Sequence, residues 1–250
     1  MSTADTNVEQ GDAARGWFQT THWSVVLGTS LEETARADAA LSNLCRAYWY
    51  PVYSYLRRVG HGPEDAEDLT QEFFARLLAK KFLKGIEPGR GKFRSFLLTA
   101  LNRFRANEWD RENRLKRGGG QKPLSLDGAK TEYRFLAEPM DEVASPEKIF
   151  ERRWAMALLE QILAKLETEF CASSNAGLFA QLKPLLSGEQ TELSYAELGQ
   201  RFGISEANVK VTVHRLRRRY RELLREEVAN TVESPDQVDD EIRHLFAAFS

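Results

Sequence analysis

The chain has 250 residues, 42% of them hydrophobic and 29% charged, with a formal net charge of −2. This is enough apolar material for a core and excludes wholesale disorder, and the length suits one large domain or two small ones. No apolar run approaches the roughly 20 residues needed to cross a bilayer. The segment Met1 to Gly11 is polar and lacks the basic-then-apolar pattern of a signal peptide. A cytoplasmic protein with no membrane partner is therefore expected. Cys45 and Cys171 lie far apart and form no CxxC pair, so no metal, cofactor or disulfide framework is expected, and both read as small buried hydrophobes.

The near-neutral total hides an uneven distribution of charge. Residues 90–122 carry ten Lys/Arg against three Asp/Glu, and residues 201–225 carry eight against two. Two concentrated basic segments in an otherwise acidic chain suggest a protein that meets a polyanion in two places; two solvated helix faces are the competing explanation.

In chain order, residues 1–22 read as a mobile leader, followed by a helical domain over 23–117 with no alternating, strand-like stretch. Its first half crowds Tyr48, Trp49, Tyr50, Tyr53 and Tyr55 onto a helix with a broad apolar face, which Pro51 bends or divides. Gly60-His61-Gly62-Pro63 breaks the pattern, and Pro63 suits the first turn of the next helix. Over Glu64–Lys81, Glu64, Asp65, Asp68 and Glu72 fall within about 100° of one another, with Leu69, Phe73, Phe74, Leu77 and Leu78 on the other side. Favourable charge at a helix start accounts for Glu64 and Asp65 but not for Asp68 and Glu72 further along. Paired carboxylates also suit acid–base or metal chemistry, but no histidine lies nearby in sequence and polar Gln71 accompanies them.

A third helix, Gly91–Arg117, interleaves Arg94, Arg103, Arg105, Arg111 and Arg114 with Phe96, Phe104 and Trp109. Arginines neutralise phosphates, and planar side chains stack unpaired bases for roughly 1–3 kcal/mol each. Phe93, Phe96, Leu97, Ala100, Leu101 and Phe104 complete a core-facing stripe, whereas Trp109 sits among polar neighbours. Residues 118–147 hold three consecutive glycines and three prolines and read as a linker, with a short hydrophobic foothold at Tyr133, Phe135 and Leu136.

Helical periodicity resumes over 148–228. Tyr195 to Val209 reads as helix, turn at Gly203 and a second helix capped by Ser205, with Gly199 small where two helices cross. Val209, Val213, Leu216 and Tyr220 share the inward face; Asn208, Val211, His214, Arg215 and Arg218 point away, near the run Arg217-Arg218-Arg219. An outward face of this kind suits a recognition helix in a major groove, its later arginines on phosphates. The extension 229–250 is acidic at its start and ends in a stripe of Ile242, Leu245, Phe246 and Phe249. It is expected either to complete the core of the second domain or to fold over the basic recognition helix.

Glu64-Asp65-Ala66-Glu67-Asp68-Leu69-Thr70-Gln71-Glu72-Phe73-Phe74 resembles the core-polymerase-binding motif of bacterial RNA polymerase sigma factors. Phe93-Arg94-Ser95-Phe96-Leu97 with the arginines that follow resembles the −10 and melting segment of the same family, and Ser194 to Lys210 resembles its −35-reading helix-turn-helix. With the intervening linker, residues 23–228 resemble the extracytoplasmic-function (ECF) group. The resemblance implies an all-α fold, with a region 2 helical bundle and a region 4 helix-turn-helix joined by a flexible linker. It implies no catalytic activity. Asp65, Asp68, Gln71 and Glu72 would bind the β′ clamp helices of core RNA polymerase, and the second domain would rest on the β flap. Asn102, Arg103, Arg105, Asn107, Trp109, Arg111 and Arg114 would handle the −10 promoter DNA; Asn208, Lys210, Val211, His214, Arg215 and Arg218 would read the −35 element. An anti-sigma factor or other regulator is a further implied partner. In place of the usual Arg-Asn pair, this chain has Asn102-Arg103. The competing function is a helix-turn-helix repressor or activator that does not depend on core polymerase, which would need neither the acidic nor the aromatic-basic helix.

Overall fold

The computed structural model describes residues 34–79, 92–115, 126–137, 145–172, 176–186 and 193–249, and every regular element among them is helical. They are α1 (Thr34–Arg58), α2 (Pro63–Leu78), α3 (Phe93–Leu115), α4 (Leu126–Ala137), α5 (Pro146–Cys171), α6 (Ala176–Leu186), α7 (Tyr195–Phe202), α8 (Glu206–Ala229) and α9 (Val238–Ala247). The leader 1–22 lies outside the described residues. The chain divides into two compact units, one comprising the residues up to Ala157 together with those from Val228 onward, the other Leu158–Glu227.

The core of the first unit is aromatic because α1 buries Tyr48, Tyr50, Tyr53 and Tyr55 beside Val52 and Leu56. Tyr48, Tyr53 and Tyr55 are almost fully buried. α1 runs unbroken through Pro51, where burial of Tyr50 and Val52 on either side offsets the backbone hydrogen bond that a proline removes. Tyr48 meets Phe93 of α3 edge-on at 5.0 Å and stacks on Trp154 of α5 at 6.3 Å. α2 starts at Pro63 with Glu64 and Asp65 in its first turn and ends at Leu78, with Ala79 as its C-cap, short of the expected Lys81. Phe73, Phe74 and Leu77 are buried as expected, but Leu69 is half-buried and Leu78 is exposed, while Glu67 and Thr70 are buried. Arg76 clamps α2 to α3, reaching Glu108 at 2.7 Å and lying over the Phe104 ring at 5.0 Å.

Two expectations change here. Within the expected linker, residues 126–137 form α4, which packs on α1 and α2. Glu132 accepts hydrogen bonds from Arg57 at 2.6 and 2.9 Å and from the Tyr53 hydroxyl, and Phe135 meets the Tyr53 ring. These partners lie at least 75 residues away in sequence, beyond the reach of any local pattern. The second change concerns the extension. Residues 228–249 belong to the first unit: the Phe93 amide donates to the Thr231 carbonyl at 2.9 Å, and Val232, Val238 and Leu245 are buried. Glu241, 0% exposed, pairs with Arg94 at 2.7 Å and Lys92 at 2.8 Å. Arg94 also reaches Glu151 at 2.7 Å and lies over Trp154. Together with burial, the Glu241 charge pushes the Tyr48 hydroxyl well above the ordinary tyrosine range. The segment therefore completes the core of the first unit rather than that of the second. Among the described residues no helix is long and apolar enough to cross a membrane, and no group of His, Cys, Asp and Glu could hold a metal ion. Both cysteines are free; burial pushes the Cys45 thiol up to about 12, whereas Cys171 is only half-buried.

Two measurements check these contacts. Glu241→Ala leaves buried Arg94 with Glu151 as its remaining carboxylate and should cost up to about 3–5 kcal/mol in urea unfolding, the range for breaking a buried pair; unchanged stability would mean that Glu241 does not anchor the extension. Arg57 holds the Glu132 carboxyl below its ordinary value of 4.5. The stabilisation is therefore complete above that value and is lost as pH falls through the depressed one. Hydrogen-exchange protection of residues 126–137 should fall in acid in the parent and be low at every pH in Glu132→Gln.

Candidate nucleic-acid and polymerase interfaces

The acidic ridge lies along the exposed side of α2. Glu64, Asp65, Gln71 and Glu72 are exposed and Asp68 is half-buried, while Ala66, Thr70 and Phe73 turn inward. Two ridge side chains are tied to their own helix: Gln71 donates to Glu67 at 3.3 Å, and Glu72 accepts from Arg76 at 2.7 Å. The Thr70 hydroxyl is fully buried and donates to the Ala66 carbonyl at 2.6 Å, so it is not presented to a modifying enzyme.

On α3 the sequence-predicted residues separate onto two sides. At about 100° per residue, positions 103, 107, 111 and 114 fall within about 80° of one another, and positions 102, 105 and 109 share a different face. Arg103 and Asn107 are exposed. Half-buried Asn102 accepts from the Tyr55 hydroxyl at 2.6 Å, and Arg105 lies over the Tyr55 ring at 5.8 Å. Tyr55 thus positions two of the candidate residues, a role visible only in the folded chain. The side chains of Trp109, Arg111 and Arg114 lie outside the described residues. A cleft of about 490 Å³ opens beside this second face, floored by Leu56, Leu69 and Phe104 and edged by His61, Arg105 and Glu108. Arg94, expected among the phosphate-facing cations, is instead 6% exposed. Five residues of the predicted stripe are buried, and Phe96 is half-buried.

In the second unit, α7 opens with a capping box: Ser194 accepts from the Glu197 amide, and the Glu197 carboxylate accepts from the Ser194 amide at 2.7 Å. The Ser194 hydroxyl, donating to the same carboxylate at 2.7 Å, and the Ser194 amide hold the Glu197 carboxyl below its ordinary value. α7 ends at Gly203, whose φ of +67° is the left-handed conformation that glycine adopts without strain. The Ile204 amide returns to the Gly199 carbonyl at 2.9 Å, and Ser205 caps α8 by accepting from the Asn208 amide at 3.2 Å. Val209, Val213 and Leu216 are buried, while Tyr220 is half-buried. Asn208, Lys210, Val211, His214, Arg215 and Arg218 are all exposed. Lys210 pairs with Glu206 at 2.6 Å and Arg218 with Glu222 at 3.4 Å, surface contacts easily exchanged. Arg217 and Arg219 depart from the expectation of a phosphate-holding run. Arg217 donates to the Leu185 carbonyl at 2.8 Å, and Arg219 forks onto Glu169 at 2.8 Å and reaches Glu226 at 2.9 Å. Arg217 and Arg218 remain exposed, Arg218 with 70% of its side chain open, whereas Arg219 is half-buried.

Residues 44–115 match the family model described as Sigma-70 region 2. This span of the chain belongs to the sigma-70 region 2 family. No curated protein and no solved structure matches the chain. The matched span covers the tyrosine-rich part of α1, all of α2 and all of α3, so the acidic ridge and the Asn102–Asn107 surface both lie within sigma-70 region 2. In a sigma factor this region serves promoter recognition and RNA polymerase binding, and the factor itself is not an enzyme. Four features were invisible to sequence reasoning: Tyr55 on Asn102, Arg57 on Glu132, Glu241 on Arg94, and the bonds of Arg217 to Leu185 and of Arg219 to Glu169. Each joins residues on different helices, and no local spacing signals such a pair.

The α7–α8 turn gives a direct test of its packing. A Cβ at Gly199 would lie 2.7 Å from the Ile204 carbonyl oxygen, a backbone atom that cannot swing aside. Gly199→Ala should therefore destabilise the second unit by roughly 1–3 kcal/mol, the usual cost of overpacking, seen as a lower thermal midpoint. Gly203→Ala, with open space around it, is strained only by its backbone conformation.

Proposed function

We propose that the chain is a sigma factor of the ECF type, binding core polymerase through α2, the −10 promoter DNA through α3 and the −35 element through α8. The observation that carries this reading is the pairing, within one region 2, of an exposed carboxylate ridge with a separate exposed surface that holds the Arg103 cation and the Asn107 amide. A carboxylate ridge repels DNA and attracts a basic protein groove, so the two surfaces call for two different partners. Asp65, Asp68, Gln71 and Glu72 serve the β′ clamp helices. Asn102, Arg103, Arg105 and Asn107, with Trp109, Arg111 and Arg114, serve the −10 strand. The cleft beside Arg105 and Phe104 offers an apolar floor and, at Arg105, a cationic group to an unstacked base.

Asn208, Lys210, Val211, His214, Arg215 and Arg218 form the −35 reading surface, their exposure leaving them open to a major groove. A β-flap contact belongs to the same unit, and an anti-sigma factor or other regulator is a further partner of the reading. An alternative as a core-independent repressor is disfavoured by the ridge, which such a protein does not need.

In-vitro transcription by the full chain with core polymerase from its host, on a genomic fragment library, tests the assignment. Parent protein should direct initiation at discrete sites. Asp68→Arg should lose core binding by at least tenfold while keeping −35 duplex affinity. Arg215→Ala should do the reverse, weakening the duplex by about 1–3 kcal/mol. Transcription from no template, or core affinity unchanged in Asp68→Arg, overturns the reading.

A further inference from the structure

The ridge on α2 has a deficiency as a docking surface. Stable interfaces centre on an apolar patch with aromatic anchors and carry their charges at the rim, where charge sets on-rate and partner choice more than affinity. Along α2 the exposed residues are acidic or polar, apart from Pro63, Ala75 and Leu78, the last 42% exposed in the final turn. The helix packed beside it supplies the missing patch. α4 turns Glu132, Arg134 and Phe135 onto α1, through Arg57, Tyr50 and Tyr53. On its other side it displays Tyr133, 76% exposed, and Leu136, 69% exposed, three residues apart and therefore neighbours on one helix face. These are the two most exposed large hydrophobic side chains among the described residues. A side chain so exposed on a helix that is otherwise well anchored has little to do with folding the chain and much to offer a partner.

We propose that α4 is a second polymerase-docking element, with Tyr133 and Leu136 inserting into an apolar pocket of core RNA polymerase beside the basic groove that receives the α2 ridge. The proposal rests on the reading of α2 as the polymerase-docking ridge. Its partner is argued from continuity: α4 packs directly against the helix that carries the ridge, so a protein that covers α2 also reaches α4. The Glu132–Arg57–Tyr53 cluster fixes α4 before binding, which removes the cost of ordering a loose segment at the moment of association. The stretch that composition marks as a tether would then act as a preformed anchor.

The test uses the full chain and purified core polymerase, with association and dissociation rates measured by biolayer interferometry. Four proteins are compared: parent, Tyr133→Ala/Leu136→Ala, Tyr133→Ser/Leu136→Gln and Asp68→Arg. Both α4 pairs should keep the parent's thermal midpoint and −35 duplex affinity, because the side chains removed are exposed. Both should bind core 10- to 100-fold more weakly, mainly through faster dissociation; Asp68→Arg should lose affinity mainly through slower association. If Asp68→Arg is impaired while both α4 pairs bind like the parent, α4 is no anchor, and the ridge reading survives alone. If Asp68→Arg binds like the parent, the ridge reading fails and takes this proposal with it. Tighter binding by the α4 pairs overturns the proposal by making α4 an obstruction. So does sedimentation that shows a parent dimer dispersed by the α4 substitutions at unchanged core affinity, which would make the occupant a second copy of this chain.

Discussion

The first unit depends on one buried carboxylate and what it holds. Glu241 arrives from the far end of the chain and meets Arg94 and Lys92 at the start of α3. Arg94 lies over Trp154, Trp154 stacks on Tyr48, and Tyr48 meets Phe93. Four helices, α1, α3, α5 and α9, therefore share a single cluster in which an ion pair is enclosed by aromatic rings. A buried ion pair is weak evidence of net stability but strong evidence of mutual dependence, since losing either partner strands the other charge. The consequence for function is positional. α3 carries the exposed Arg103 of region 2, and its first turn is pinned by α9, the last helix among the described residues.

The same geometry sorts the arginines by role. The local surplus of positive charge around α3 and α8 is real, but not all of it is offered to a partner. Arg94 is spent on Glu241 and Glu151, Arg217 on the Leu185 carbonyl and Arg219 on Glu169 and Glu226. Arg103 on α3 and Arg215 on α8 are exposed, and Arg218 is exposed with only a loose contact to Glu222. A cation enclosed by its own carboxylates adds little to a phosphate contact, so the affinity of each DNA-facing surface rests on fewer residues than the composition implies. Tyr55 refines the set again, taking the Asn102 carbonyl oxygen and leaving that amide's N–H donors as the group with which it can address a base.

Local signals in the sequence carried a good deal. The turn of the helix-turn-helix was legible, because a left-handed glycine at Gly203 and an N-cap serine at Ser205 are chemical requirements of single positions that spacing alone exposes. The acidic ridge was legible as well: at 3.6 residues per turn, Asp65, Asp68 and Glu72 share a side whatever they pack against. Phe93, Leu97, Leu101 and Phe104 were legible as core for the same reason. The linker was misjudged because glycines and prolines on either side masked a short helix whose stability comes from Glu132 meeting Arg57, a partner 75 residues away. The end of α2 was placed too late because apolar periodicity continues past the point where the helix stops.

The sequence by itself determined the all-helical class, the three motifs in their order and the separation of negative from positive surfaces, since each follows from periodicity and charge along one helix. Only the tertiary structure decided that α4 is docked rather than slack, that the C-terminal helix joins the first unit, and which arginines stay exposed. Each of those outcomes depends on a pairing between side chains remote in the chain, and such pairings are set by packing and desolvation in the folded state.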